Sequence, residues 1–167
     1  EIIRLSKVPL KDNFFNSKKF INIINISRFT DQKDHITLLK AFELANKETN
    51  CKLLLIGYGK NLWKIKDFIQ RKNLKKNVRV INFKSNPFNY LNKADIFIVS
   101  SIFEGLPNVL LEALALKKYI LSTNCPTGPE EILKKNKYGD LYKIGDYKSL
   151  SKKIIYFKKN SNKLREK

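Results

Sequence analysis

The sequence predicts a Rossmann-like α/β fold built on a doubly wound parallel sheet. Three observations carry that expectation. Short apolar runs rich in Ile, Leu, Val and Phe recur along the chain, each the length of a buried parallel strand. They alternate with segments whose apolar residues recur at helical spacing. Polar loops close most runs before the next helix begins, the order that makes right-handed βαβ crossovers.

The chain has 167 residues, enough for one domain that buries roughly 70% of its unfolded surface. Its 43% hydrophobic and 29% charged residues are ordinary for a globular protein. No apolar run approaches the ~20 residues that span a bilayer, and no signal-like segment opens the chain. The first residue is Glu1 rather than Met, so a piece of a longer polypeptide is expected.

In chain order, residues 1–19 read as a linker or domain-edge segment, 20–160 as the Rossmann-like domain and 161–167 as a polar tail. Residues 20–26 form a β-branched first strand that ends in the polar loop 27–33. Asp34 is placed to cap a helix whose apolar face is Leu38, Leu39, Phe42 and Ala45. Residues 51–56 are the second strand, and a helix over 61–72 turns Leu62, Ile65, Phe68 and Ile69 inward. The third strand covers 78–81, and a loop from Lys84 to Pro87 opens a short helix through Leu91. A fourth strand over 95–99 leads to a helix over 107–116, and the fifth strand covers 119–122. A Pro/Gly loop over 124–129 precedes a short helix at 130–133. Residues 140–143 are a candidate sixth strand, and 147–159 a basic amphipathic last helix.

The strongest candidate site is the stretch from Ser100 to Leu114. A strand stops at Ser100-Ser101, Glu104-Gly105 turns, and Pro107 suits the first turn of a helix, where its missing N–H costs nothing. Open α/β sheets bind ligands where strand ends meet helix N-termini. The amides of Asn108 and Val109 are therefore candidates to hold an anion such as a diphosphate, with Glu112 in the same helix for neutral hydroxyls. An ordinary helix start with a first-turn acid has the same pattern.

Four other segments share that sheet edge. Arg28, after Ser27, and Lys33 are cations suited to phosphate oxygens, or else ordinary surface charges. Gly57-Tyr58-Gly59 lets a ligand approach the backbone but lacks the third glycine and ribose-binding acid of the dinucleotide fingerprint. The loop 82–87 offers backbone to a nucleobase edge or is a plain turn. The rigid loop 123–133 carries Glu131, either a ligand contact or a first-turn helix acid. The lone histidine, His35, reads as a surface residue at a helix N-terminus. Cys51 and Cys125 have no metal spacing and read as free buried thiols of a reducing compartment. The net charge of +19 allows nucleic acid, an anionic membrane or acidic small molecules as partners.

Taken together, these segments resemble the C-terminal, donor-binding domain of a GT-B glycosyltransferase of retaining glycosyltransferase family 4. The resemblance rests on Ser27-Arg28 with Gln32-Lys33-Asp34, on Leu55-Ile56-Gly57-Tyr58-Gly59, on Ser85-Asn86-Pro87 and on Ala94-Asp95. It continues through Ser101-Ile102-Phe103-Glu104-Gly105-Leu106-Pro107-Asn108-Val109 with Glu112-Ala113. It closes with Ser122-Thr123, Cys125-Pro126 and Gly128-Pro129-Glu130-Glu131-Ile132-Leu133. These cover about residues 20–145 in the family's order, and Glu104 and Glu112 stand as its two-glutamate motif.

The resemblance implies a glycosyltransferase of the hexosyl or N-acetylhexosaminyl type that retains anomeric configuration by front-side attack. Arg28, Lys33 and Glu104 would be its catalytic residues. Arg28 and Lys33 would hold the donor diphosphate and offset charge on the departing nucleotide. Glu104 would bind hydroxyls of the transferred sugar and Glu112 those of the ribose. Gly57 and the segment Gly105, Leu106, Pro107, Asn108 and Val109 would line the donor, and Phe83 and Lys84 would face the base. No metal and no cofactor is expected. The implied partners are a nucleotide-diphosphate sugar, by subgroup a UDP-sugar, and a glycan or lipid-linked acceptor held by an N-terminal domain outside this sequence. Such an enzyme serves bacterial-type surface-glycan assembly, and the isolated piece is expected to be inactive. A cytoplasmic location is implied and no nucleic-acid partner is expected; the basic charge would suit a place at an anionic inner membrane face, or else is ordinary solvated surface. The family's usual glycine is Asn82 here, its acid between the glycines is Tyr58, and a glycine and proline before the fifth strand are Lys117 and Tyr119. Two rivals remain open. A GT-B sugar-nucleotide epimerase would form product without an acceptor. A non-enzymatic basic α/β module would bind nucleic acid with steep salt dependence.

Overall fold

The computed structural model describes residues 1–17, 19–134 and 136–165. Six parallel strands form one sheet: β1 (Ile21–Ile26), β2 (Cys51–Ile56), β3 (Val78–Ile81), β4 (Ile96–Val99), β5 (Tyr119–Thr123) and β6 (Asp140–Tyr142). Their order is β3-β2-β1-β4-β5-β6. The chain winds outward from β1 to β3, returns beside β1 as β4, and winds the other way. The reversal between β1 and β4 opens a crevice at the carboxyl ends of the strands, where such sheets bind ligands.

The strands are buried on both faces, so their side chains alternate between two cores. Ile23, Leu53 and Leu55 enter one core, and Ile24, Leu54 and Ile56 the other. The first core is closed by α2 (His35–Glu48), α3 (Leu62–Arg71) and α7 (Tyr147–Arg165). The second is closed by α4 (Phe88–Lys93), α5 (Asn108–Ala115) and α6 (Pro129–Ile132). Helix α1 (Ile2–Ser6) packs on α4 and α5.

The helix faces follow the sequence pattern. Leu38, Leu39, Phe42 and Ala45 are fully buried under α2, and Ile65, Phe68 and Ile69 are buried under α3. Leu62 packs against the same core while half-buried. The Asp34 carboxylate caps α2 by accepting from the Thr37 N–H at 3.2 Å. Cys51 and Cys125 are both free and buried.

Three details differ from the expectations. Residues 1–19 contain α1, whose Leu5 and Ser6 carbonyls accept from Asn86 Nδ2 (3.0 Å) and Asn92 Nδ2 (3.4 Å). A five-residue helix has no stability of its own, so its signal lies in this docking rather than in its sequence. Phe14 and Phe15, in the same segment, are buried in the second core. Pro107 has ψ of 81°, so α5 begins one residue later, at Asn108. The last helix has non-helical backbone at Asn160, just past its expected end at 159, yet helix resumes through Arg165 and Leu164 is buried. Thus 161–165 of the expected tail continue α7, and 166 and 167 lie outside the described residues.

Candidate functional site

The loop after β1 is shaped by its neighbours. Ser27 N–H donates to Ile56 O at 3.1 Å and Phe29 N–H to Tyr58 O at 2.6 Å, which lays 27–29 against 57–59. A Cβ on Gly57 would stand 1.9 Å from Ser27 O, and one on Gly59 2.4 Å from Phe29 O. The two glycines therefore admit the chain's own backbone, and the space at Gly57 that the sequence suggested for a ligand is filled by Ser27. Arg28, at the crest of this loop, is exposed.

A short 3-10 turn, Asp31–Lys33, then carries the second cation inward. The Asp31 carboxylate accepts from Asn61 Nδ2 at 2.9 Å and lies 3.0 Å from Lys60 and 3.1 Å from Lys64. The two lysines hold the carboxyl well below the usual carboxylate range. These contacts pin the turn to the start of α3.

His35 corrects the sequence reading. It does begin a helix, but it is buried, only 3% exposed. Its Nε2 lies 2.9 Å from Ser27 Oγ and 3.1 Å from Asn25 Oδ1, while Ser27 Oγ donates to Asn25 Oδ1 at 2.8 Å. Asn25 Nδ2 in turn donates to Ile98 O at 2.8 Å. This cluster ties the floor of the β1 loop to β4. Burial, aided by the Lys33 charge, pushes the His35 pKa down to about 4. The polar residues Asn25 and Ser27 in an otherwise apolar run were the available signal, since buried polar groups need partners.

Lys33 and Glu104 meet across the crevice. The ammonium and carboxylate are 2.6 Å apart, with side chains 15% and 8% exposed. Ser101 Oγ also donates to Glu104 Oε1 at 2.5 Å. Around the pair the two loops are laced together. Ile102 N–H donates to Gln32 O at 2.8 Å, Gln32 Nε2 to Phe103 O at 2.9 Å, and Ser100 Oγ to Lys33 O at 2.8 Å. Thr127 Oγ1 donates to Glu104 O. Gly128, at φ +94°, brings the Pro/Gly loop against Pro107 and Gly105, where a Cβ would lie 2.5 Å from Pro107 Cδ. Gln32, Ser101 and Thr127 shape this site, and nothing in their spacing marked them as contacts.

At the start of α5, Asn108 N–H donates to Leu106 O at 2.9 Å, so one of the two expected anion-binding amides is engaged within the loop. Gly105, Leu106 and Asn108 are exposed, Val109 is half-buried and Pro107 is buried. Glu112, one turn further on, is half-buried and makes no side-chain hydrogen bond or ion pair with a described residue. Burial raises its carboxyl pKa. A carboxylate that has lost water without gaining donors is suited to accept hydroxyls from a ligand. At the far end of the edge, Phe83 (65% exposed) meets Tyr58 (57%) edge to face at 6.2 Å, beside exposed Lys84. Among the described residues no group of three or more His, Cys, Asp or Glu side chains could hold a metal ion. Nor is any helix among them long and apolar enough to cross a membrane.

Arg28, the Lys33–Glu104 pair and the start of α5 thus lie on loops that follow β1 and β4, and Glu112 follows within α5. Comparison with known proteins agrees with the resemblance. The sequence model described as Glycosyl transferases group 1 matches residues 9–167. An uncharacterized glycosyltransferase of Methanocaldococcus jannaschii is 39% identical over 132 residues, 78% of this chain and 32% of that protein. The N-acetylgalactosamine-N,N'-diacetylbacillosaminyl-diphospho-undecaprenol 4-alpha-N-acetylgalactosaminyltransferase of Campylobacter jejuni is 30% identical over 146 residues, 87% of this chain and 37% of that protein. The chain spans about a third of the length of these relatives. Among solved structures, an S. aureus TarM mutant in complex with fondaparinux, alpha-GlcNAc-glycerol and UDP superposes with a TM-score of 0.80 at 25% identity, covering 90% of this chain and 33% of that one. Anabaena HepE in complex with UDP has the same fold, with a TM-score of 0.83 at 17% identity over 98% of this chain and 47% of that one. With a family match over nearly the whole chain and a sheet of GT-B type, this chain belongs to the group 1 glycosyl transferases.

Proposed function

We propose that this chain is the nucleotide-sugar-binding half of a retaining glycosyltransferase of family 4. Its donor is a UDP-sugar carrying a hexosyl or N-acetylhexosaminyl group. Its acceptor is a glycan or lipid-linked glycan of surface-glycan assembly, held by a further domain without which this chain transfers no sugar. The observation that carries the reading is Glu112, a half-buried carboxylate without a donor among the described residues, one helical turn into α5 and eight residues beyond the Glu104 that pairs with Lys33. A ligand with hydroxyls at both ends and a diphosphate between them suits two carboxylates on either side of a helix start. The Campylobacter relative, whose named acceptor is a diphospho-undecaprenol saccharide, and the UDP in the TarM complex support the acceptor and nucleotide classes.

In this reading the ribose hydroxyls donate to Glu112, and the base lies at the Tyr58–Phe83 rings with Lys84 beside it. The diphosphate sits at Gly105, Leu106, Pro107, Asn108 and Val109, below Arg28. Glu104 accepts from the donor sugar, and Lys33, held at its carboxylate, faces the leaving oxygens. Arg28 and Lys33 then offset the negative charge that develops as the bond to the nucleotide breaks. Gly57 shapes the β1 loop that carries Arg28.

Calorimetric titration of UDP, UDP-sugars and other nucleoside diphosphates tests the reading. Each lost hydrogen bond to a charged group is worth about 1.5–3 kcal/mol. Glu112→Ala should therefore weaken UDP and UDP-sugar alike by roughly ten- to a hundredfold. Glu104→Ala should remove only the affinity that the sugar adds. Wild-type binding by both variants would falsify the assignment. Product formed from a UDP-sugar without an acceptor would instead favour an epimerase.

A further inference from the structure

We infer that the outer surface of α2, α3 and α7 is a docking face for an anionic lipid bilayer. The two helical layers of the fold differ sharply in charge. In sequence, α2, α3 and α7 carry twelve Lys or Arg against three acids. Helices α1, α4, α5 and α6 carry two against three. Compositional bias toward lysine would load both layers alike, so the excess positive charge of the helices is directed to one side of the sheet.

Helix α7 shows the pattern most clearly, with six lysines, one arginine and no acid. Leu150, Ile154 and Phe157 face the core, leaving Lys148, Lys152, Tyr156 and Lys159 as an exposed stripe at helical spacing. Lys148, Lys152, Lys158 and Lys159 make no ion pair with a described residue. The surface continues across the layer. Lys40 of α2 lies over the Tyr147 ring at the start of α7, 5.6 Å from its centroid. Lys40 also lines a groove with Trp63, Lys64, Asp67, Arg71 and Lys72, where Lys64 pairs with Asp31 at 3.1 Å and Lys72 with Glu43 at 3.3 Å. Trp63, the sole tryptophan, is 65% exposed there, and Tyr156 is 53% exposed on α7.

The chemistry favours a lipid surface. The free cations of the α7 stripe are lysines, hydrated point charges drawn by a surface potential, rather than arginine forks suited to base edges. Arg71 is already held by Asp67 at 2.6 Å. Exposed Trp and Tyr rings settle well at the headgroup boundary, where one end is apolar and the other wet. The layer runs along the sheet face, so a bilayer on it leaves the crevice at the strand ends open. This inference does not depend on which nucleotide sugar the crevice binds.

The test uses the 167-residue chain and vesicles of phosphatidylcholine with phosphatidylglycerol, or of phosphatidylcholine alone. Co-sedimentation should occur with the anionic vesicles only and fall with salt. Emission of Trp63 should shift to the blue with those vesicles. Combining Lys148→Glu, Lys152→Glu and Lys159→Glu should lower partitioning by at least about a hundredfold, because each lysine near such a surface contributes about fivefold. Combining Lys7→Glu, Lys11→Glu and Lys137→Glu changes the net charge equally outside this layer and should have much less effect. Equal loss in both triples, no anionic-lipid binding by the wild type, or tighter binding to duplex DNA than to vesicles at the same salt would each overturn the inference.

Discussion

The pair Lys33–Glu104 makes the sharpest energetic prediction. Lys33→Met removes the ammonium and leaves a carboxylate that is 8% exposed with Ser101 as its remaining donor. At 2.6 Å the pair's gross attraction is about 6 kcal/mol for an effective dielectric near 20. Most of that offsets desolvation, but deleting one partner restores none of the lost hydration, and such deletions cost about 3–5 kcal/mol. With part of the pair still near solvent, we expect about 3 kcal/mol for Lys33→Met, a fall in Tm of roughly 6–12 °C for a chain of this size. Glu104→Gln keeps a hydrogen-bonding side chain against Ser101 and should cost about 2 kcal/mol. The double variant leaves no stranded charge and should also cost about 2 kcal/mol, giving a coupling energy of about 3 kcal/mol. Urea unfolding of the four proteins measures each term. If the single costs add to the double within about 0.5 kcal/mol, the two groups do not interact and the crevice is built differently.

Two further outcomes follow from particular residues. His35 has a folded pKa of about 4, below its ordinary 6.5, so the fold prefers the neutral ring. Its contribution is fully present above about pH 6.5 and is lost as pH falls toward 4, about 3 kcal/mol in all. His35→Gln should flatten stability against pH in that window, and an unchanged slope in the variant would show that another group titrates. Gly57→Ala places a Cβ 1.9 Å from Ser27 O and should destabilise by about 3 kcal/mol or more. Gly105 has open space around it, so Gly105→Ala should leave Tm nearly unchanged while weakening UDP-sugar binding. A stable Gly57→Ala protein with wild-type unfolding would contradict the close approach of the two loops.

The sequence alone determined the alternation of six strands with helices and the buried faces of α2 and α3, because those depend on local periodicity and burial. It also placed Arg28, Lys33, Glu104 and Glu112 on loops and a helix at one sheet edge, since parallel strands put all their carboxyl ends together. Other features are relations between segments distant in sequence, and only the tertiary structure decided them. The Gly57-Tyr58-Gly59 turn reads locally as an opening for a ligand, yet the backbone of Ser27 and Phe29 occupies it. His35 reads locally as a surface helix start, yet Asn25 and Ser27 draw it into the interior. Lys33 and Glu104 stand 71 residues apart and meet at 2.6 Å only because β1 and β4 are neighbours across the reversal of the sheet. The separation of charge between the two helical layers has the same origin. The sequence contained every lysine, but the winding of the chain set the acid-free α7 beside α2, on one side of the sheet.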